Sequence, residues 1–470
     1  MILLIMRLNA KARSERTVLE RKAYQRLLEW KSSSQGKTAL LVEGARRVGK
    51  STLALEFGRR EYSSCVFIDF VDASDQIIDL FTDLRNDLDS FFLYLSAITA
   101  TPLHERDTLI VFDEVQAYPK AREAIRRLVA DGRYDYIETG SLVSIRENVR
   151  DIRIPSEERA MDLNPMDFEE FLWAMGERPL ADAVRDSFAK RRPLPDALHR
   201  KAARLFREYM LVGGMPQAVS EYVEMRDFGR VDVVKRGILS LYRNDIAKHA
   251  GRARNRVTAV FDGIPGQLSK HEKKFTLSSL GKGARMREYE DAFFWLSDAR
   301  ITNDCFNSTD PSVGLGMSED RTLVKCYMAD TGLLVSKLFA DNDETPHEVY
   351  RDILLGKLEI NEGMFTENVV AQQLAAGGHG LYFYSKRDRE GSAGTMEIDF
   401  LVTAGYDNAA GRMRVSPVEV KSTKRYGAKS IEKFKDRFGS RVGVRYILHP
   451  KPMSVEGDMV RLPLYMAHLL

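Results

Sequence analysis

The chain has little cysteine, almost no net charge and no long apolar run, and each shortage removes a class of function. Cys65, Cys305 and Cys326 stand far apart, with no CxxC pair and no even set. That pattern argues against a disulfide framework and against a cysteine-ligated zinc or iron–sulfur centre, and it fits a reducing, cytoplasmic compartment. The 71 basic and 68 acidic residues leave a net charge of +3. No general affinity for polyanions follows, although a local basic face remains compatible with DNA. No stretch approaches the ~18 apolar residues of a membrane span. The apolar start, Met1–Met6, is too short for a span and lacks a signal-peptide cleavage site; Met6 reads as the initiator.

What is there is ordinary globular composition, 44% hydrophobic and 30% charged over 470 residues, which suggests two to four domains. No internal repeat is visible. A charged helix over 15–32 leads into short strands at Thr38–Glu43, Cys65–Phe70, Thr108–Asp113 and Tyr134–Thr139, separated by helical stretches. That alternation predicts a parallel α/β sheet. Helices follow near 167–176, 197–211 and 216–249, with Lys190–Asp196 as a hinge or surface loop. Residues 255–330 read as three helices and two strands, an order that resembles a winged helix. From about 360 a helix, strands at 381–385, 397–403 and 415–422, a basic helix and a last strand make a second α/β unit.

The first strand runs straight into Gly44-Ala45-Arg46-Arg47-Val48-Gly49-Lys50-Ser51, followed by Thr52. This is a complete phosphate-binding loop: glycines let backbone amides close around phosphate oxygens, and the following helix N-terminus favours the anion. Lys50 is placed for the β- and γ-phosphates of ATP, and the Ser51 hydroxyl for Mg²⁺. The strand Leu109-Ile-Val-Phe-Asp113-Glu114 delivers Asp113 as the second magnesium group and Glu114 as the general base for the attacking water. The next strand ends in Thr139 and Ser141, either of which suits a sensor of the γ-phosphate. Arg159 is the candidate cation for the transition-state charge, in cis or as a finger from a neighbouring subunit, with a solvated arginine as the alternative. Arg46 and Arg47 stay ambiguous.

Together these residues resemble a family of bacterial and archaeal AAA-type ATPases that join an N-terminal AAA domain to a C-terminal domain of unknown function with a restriction-endonuclease-like core. The resemblance extends over Asp113-Glu-Val-Gln116, Thr139-Gly-Ser141, Leu163–Phe171, Gly213-Gly-Met-Pro216, Tyr242-Arg-Asn-Asp245, Tyr327–Leu334, Glu397-Ile-Asp-Phe400 and Val418-Glu-Val-Lys421. Glu158 stands where the family more often has glycine, which weakens the role of Arg159. The resemblance implies ATP binding and hydrolysis, with ATP and Mg²⁺ as cofactors. The expected fold is an additional-strand P-loop NTPase domain over 15–165, a helical lid over 166–250, a winged-helix-like domain over 251–335 and a small PD-(D/E)XK nuclease-like domain over 355–470. DNA, a protein partner or further copies of the chain are the expected partners, and no membrane.

A nuclease of that type needs carboxylates around a metal and a lysine beside the attacking water. Asp399 in one strand, Glu419 and Lys421 sharing a face of the next, and Glu367 on the preceding helix supply that set in order. The E-x-K spacing alone means little, since it recurs at Glu20–Lys22 and Glu272–Lys274. Two functions are therefore expected to compete. One is an ATPase that controls a DNA-handling or nuclease-like module; the other is a nucleotide-dependent switch or scaffold whose nuclease-like domain is inactive.

Overall fold

The computed structural model describes residues 18–84, 87–140, 156–270, 272–281, 283–312, 314–340, 347–354, 362–386, 396–403 and 414–470. Ser141 lies outside them. The chain divides into two compact units, one of Met1–Gly44 with Gly49–Leu163 and the other of Ala45–Val48 with Asn164–Leu470.

In the first unit, helix α1 (Ala23–Ser34) precedes β1 (Ala39–Glu43), α2 (Lys50–Glu61), β2 (Ser64–Asp69), α3 (Asp75–Asp83), α4 (Leu88–Thr99), β3 (Thr108–Asp113), α5 (Pro119–Asp131), β4 (Asp135–Gly140) and β5 (Glu158–Asp162). The strands lie in the order β2-β3-β4-β1-β5 and every pairing is parallel. β1, β3 and β4 are buried along their whole length, as central strands covered on both faces must be. The edge strands β2 and β5 are only partly buried. This is the α/β P-loop NTPase sheet expected from the sequence, with β4 inserted between the phosphate-loop strand and the Asp-Glu strand. Helix α2 packs against β2, β3 and β4. Gly58 permits that approach, because a Cβ there would come 2.4 Å from Cys65 Sγ. An aromatic cluster fills the core, with Phe81 meeting Phe70, Phe91 and Phe112 edge-to-face at 5.6, 5.2 and 5.6 Å.

Among the buried polar groups of this unit, Glu138 stands out. Glu138 of β4 is fully buried beside Glu158 of β5, and Arg122 of α5 holds Glu158 through Nη2–Oε1 and Nε–Oε2 contacts of 2.7 and 3.1 Å. Burial, and then the charge of Glu158, push the Glu138 carboxyl well above its ordinary range.

The second unit begins with helices α6 (Phe168–Ala174), α7 (Arg178–Lys190), α8 (Asp196–Val212), α9 (Pro216–Met225), α10 (Phe228–His249), α11 (Arg254–Leu268) and α12 (Met286–Asp298). The loop expected at Lys190–Asp196 lies between α7 and α8. Then come β6 (Thr302–Ser308), β7 (Glu319–Met328), α13 (Thr331–Leu338), α14 (His347–Leu354), α15 (Glu362–Ala376), β8 (Tyr382–Lys386), β9 (Met396–Thr403), β10 (Val415–Val420), α16 (Lys429–Phe438), β11 (Arg445–His449), β12 (Ser454–Glu456) and β13 (Met459–Pro463). Among the described residues they form one sheet in the order β12-β13-β11-β10-β9-β8-β6-β7. The hairpin β6–β7, placed by the sequence in a separate winged-helix-like region, runs on into this sheet: β6 pairs in parallel with β8. The second sheet therefore crosses the boundary expected between 335 and 355.

Several sequence motifs of this unit meet in one buried knot. Asp330 caps α13 by accepting from Leu333 N at 2.9 Å and also accepts from Gly214 N at 2.5 Å. The Tyr209 hydroxyl donates to Met166 O and accepts from the amides of Gln372 and Gln373. Gly213, at φ 84°, and Gly214 make room for this. A Cβ at Gly213 would lie 2.2 Å from Asp330 Oδ1, and one at Gly214 would lie 2.1 Å from Met166 O. The Gly213–Pro216, Tyr327–Leu334 and Leu163–Phe171 motifs thus have an architectural role here.

Candidate functional site

The end of β1 and the start of α2 form the phosphate loop. Gly49 precedes α2 at φ 100°, a conformation open to glycine, and Arg47 stands at φ 70°. Lys50 is buried, and its ammonium donates to Gly44 O at 3.0 Å, which folds the side chain back over the loop. Ala45 and Val48 are buried, whereas Arg46, Arg47 and Thr52 are exposed.

Three strand ends converge opposite. The Ser51 hydroxyl donates to Asp113 Oδ1 at 2.7 Å, and the Thr139 hydroxyl donates to the same oxygen. Burial raises the Asp113 carboxyl above its ordinary range; the two hydroxyls work against the shift, and the charges of Glu114 and Asp69 add to it. A buried carboxylate flanked by a hydroxyl is a hard oxygen donor set of the kind Mg²⁺ takes with nucleotide phosphates, so these residues fit the ion. Ser51 and Asp113 would hold it, and it would offset the negative charge of the nucleotide phosphates.

Glu114 follows at φ 52°, a left-handed conformation that costs a non-glycine residue on the order of 1 kcal/mol. Its backbone N–H points to Thr139 Oγ1 at 3.4 Å, and its carboxylate accepts from the Gln116 amide. The structure therefore brings together Lys50, Ser51, Asp113, Glu114 and Thr139. It adds Asp69, which no sequence motif singles out, and gives a role to Gln116, the last residue of the Asp113–Gln116 motif. Gln116 holds the Glu114 carboxylate. Asp69 ends β2 in register with Asp113, and burial raises its carboxyl. The signal for Asp69 was its place at the carboxyl end of the strand preceding β3.

Arg159 is not brought to this site. It lies on β5 opposite Leu40, toward the amino end of β1, exposed, with its guanidinium 3.4 Å from Ser33 Oγ. The loop leaves the other end of β1, four residues and roughly 13 Å along the strand. The cis role expected for Arg159 is therefore corrected by the parallel register, which turns it away from the phosphates.

In the second unit, Glu367 on α15, Asp399 on β9, Glu419 on β10 and Lys421 just past the end of β10 come together. Lys421 pairs with Glu419 at 3.0 Å, and Asp399 Oδ2 accepts from Val420 N at 2.9 Å. Burial raises the Glu367 carboxyl, and the nearby charge of Asp399 raises it further. Lysines outside the E-x-K motif of β10 complete the cluster. Lys273 pairs with Glu367, whose other oxygen accepts from the Tyr327 hydroxyl at 3.1 Å. Lys325, on β7, lies 2.9 Å from Glu397 Oε1 and 3.7 Å from Asp399 Oδ1, and Lys274 lies 3.0 Å from Glu397 Oε2. Burial alone would raise Glu397; Lys325 and Lys274 overcome it and hold the carboxyl at about 2. Among the described residues no group of three or more His, Cys, Asp or Glu side chains is arranged to hold a metal ion. Arg285 and Arg287, beside and within the first turn of α12, are exposed.

Comparison with known proteins accords with the N-terminal geometry. Residues 36–172 match a family described as an AAA domain, 203–344 a domain of unknown function, DUF8612, and 362–465 another, DUF4143. No curated protein matches the chain. Among solved structures, the Aeropyrum pernix ORC1 protein in complex with DNA is 11% identical, with a TM-score of 0.27, over 69% of this chain and 94% of its own. AMPPCP-bound DnaA from Aquifex aeolicus is 11% identical, with a TM-score of 0.27, over 60% and 87%. Scores this low leave the assignment to the strand order, the loop and the family match. No helix among the described residues is long and apolar enough to cross a membrane. On those grounds the chain carries an N-terminal AAA-type P-loop domain, followed by a DUF8612 and a DUF4143 domain.

Proposed function

We propose that the protein binds Mg·ATP at Gly44–Thr52, hydrolyses it with Glu114 as general base, and acts as a nucleotide-dependent switch on a partner without cutting nucleic acid. The observation that carries the ATPase reading is Asp113 accepting from both Ser51 and Thr139 hydroxyls, one from the loop helix and one from the sensor strand. Glu114 lies beside that carboxylate and is held back by Gln116 until a nucleotide and water are in place.

The lysine pairing of Glu367, Glu397, Asp399 and Glu419 favours a nuclease-like module used for binding over one used for cleavage. The partner is a protein, a further copy of the chain, or DNA. Arg159, exposed and away from its own loop, retains a role only as a finger offered to a neighbouring subunit.

The test has two arms. Single-turnover hydrolysis should be lost in Lys50→Ala, whereas Glu114→Gln should keep ATP-induced thermal stabilisation and lose turnover. Plasmid and linear DNA should stay intact with Mg²⁺ or Mn²⁺, with and without ATP. Cleavage abolished by Lys421→Ala would sink the non-cleaving reading, and undiminished hydrolysis in Lys50→Ala would sink the ATPase reading.

A further inference from the structure

We infer that Lys325 is the built-in cation of the C-terminal carboxylate cluster, and that its ammonium shuts this cluster to divalent metal ions. The inference rests on the reading of the module as non-cleaving and is independent of the ATPase reading.

Lys325 comes from β7, whereas the acids it meets come from β9 and α15. It sits in the run Val324-Lys-Cys-Tyr-Met328, every residue of which is buried, and its side chain is 1% exposed. A fully desolvated ammonium persists only where several oxygens face it. Here Glu397 Oε1 is at 2.9 Å and Asp399 Oδ1 at 3.7 Å, and the Glu367 charge acts on it as well. The Phe383 ring, 5.0 Å away, supplies a further cation-attracting surface.

The other acids are met one by one. Lys273 and Tyr327 engage the two oxygens of Glu367, Lys274 engages the second oxygen of Glu397, and Lys421 engages Glu419. Four carboxylates are thus matched by four lysines. A divalent ion entering between Glu367, Asp399 and Glu419 would lie against Lys325 and would have to displace an ammonium that has no solvent to withdraw into. The carboxylates keep the chemistry of a cation site, and the chain itself supplies the cation.

The test is Mn²⁺ binding to the full-length, nucleotide-free protein, read by calorimetry and by the electron paramagnetic resonance signal of free Mn²⁺. Lys325→Met combined with Glu397→Gln removes the pair together and leaves the charge balance unchanged. This double variant should gain one equivalent of Mn²⁺ over wild type, roughly tenfold tighter or more, on a carboxylate set that suits the ion. The gain should vanish when Glu419→Gln is added. If the double variant does not fold, Lys325→Gln with Glu397→Gln, which also removes the ammonium and keeps the charge balance, is measured in its place against the same criteria. Two results overturn the inference: wild-type Mn²⁺ binding that Glu419→Gln or Asp399→Asn removes, or a folded double variant that gains no Mn²⁺. Wild-type binding without DNA cleavage overturns this inference alone, whereas binding with cleavage overturns the non-cleaving reading too.

Discussion

Two clusters of carboxylates lie at strand ends in this protein, and they are held in opposite ways. At the phosphate loop, the groups that reach Asp113 are neutral hydroxyls, and neighbouring acids raise its carboxyl along with burial. In the second unit, Lys325 and Lys274 hold Glu397 down at about 2, and Glu367 and Glu419, although burial raises both, each have a lysine within reach. The first arrangement stores repulsion that a ligand cation relieves. The second has already been neutralised within the chain. A carboxylate count read from sequence would rank the two alike; what separates them is where the lysines come from.

The largest effect expected at the loop is on turnover. Lys50→Ala should abolish detectable hydrolysis, and it should remove the stabilisation of about 2.7 kcal/mol that ATP·Mg at about 100 times its dissociation constant confers on wild type. Glu114→Gln should lower turnover about 10²- to 10⁴-fold while keeping that stabilisation, as measured by thermal melts beside phosphate release. In the second cluster, Lys325→Met alone should cost about 3–5 kcal/mol in denaturant unfolding, because it leaves buried acids uncompensated. Pairing it with Glu397→Gln should recover much of the loss; equal costs for the single and double variants would break the contrast between the sites.

Acid titration sharpens the same contrast. The Glu397 carboxyl is depressed from 4.5 to about 2 in the folded chain. Its contribution is therefore complete above pH 4.5 and is lost as the pH falls toward 2. Glu397→Gln should flatten that limb of the unfolding curve. Glu138 is shifted the other way, so its contribution is complete below its unfolded value and is lost as the pH rises through its folded value. The last effect expected is at Glu138→Gln, which cannot ionise and should therefore remove this loss of stability as the pH rises, read by denaturant unfolding from acid to neutral pH.

The ATPase sheet was legible because its signals are local. A strand, a glycine loop and a helix adjoin in sequence, and β1–β4 fall within a residue or so of their expected limits. The phosphate-site residues sit at strand ends, where order along the chain also sets order in space. Arg159 escaped because its position depends on the register of β5 against β1, which no periodicity encodes. The same holds for the parallel pairing of β6 with β8. Helix α7 was not foreseen, nor the short hairpin β12–β13, which turns at Gly457 (φ 59°). Lys274 belongs to a background E-x-K match, yet it is one of the lysines that engage the acids. A lone lysine in an apolar strand, as at Lys325, is the signal that sequence offers for such a group.

The continuity of the second sheet bears on how the protein can be dissected. The DUF4143 match begins at residue 362, after β6 and β7 and after Lys325. A fragment cut at that boundary would bare the backbone amides and carbonyls of β8 that β6 engages, a template for strand-to-strand aggregation. It would also carry Glu397 and Asp399 without the ammonium that neutralises them. Expression of 362–470 alone should yield insoluble protein, and an activity assay on such a fragment would probe a different charge state. The smallest piece able to report on this cluster starts ahead of Lys273, so the unit of folding here is longer than the unit of sequence similarity.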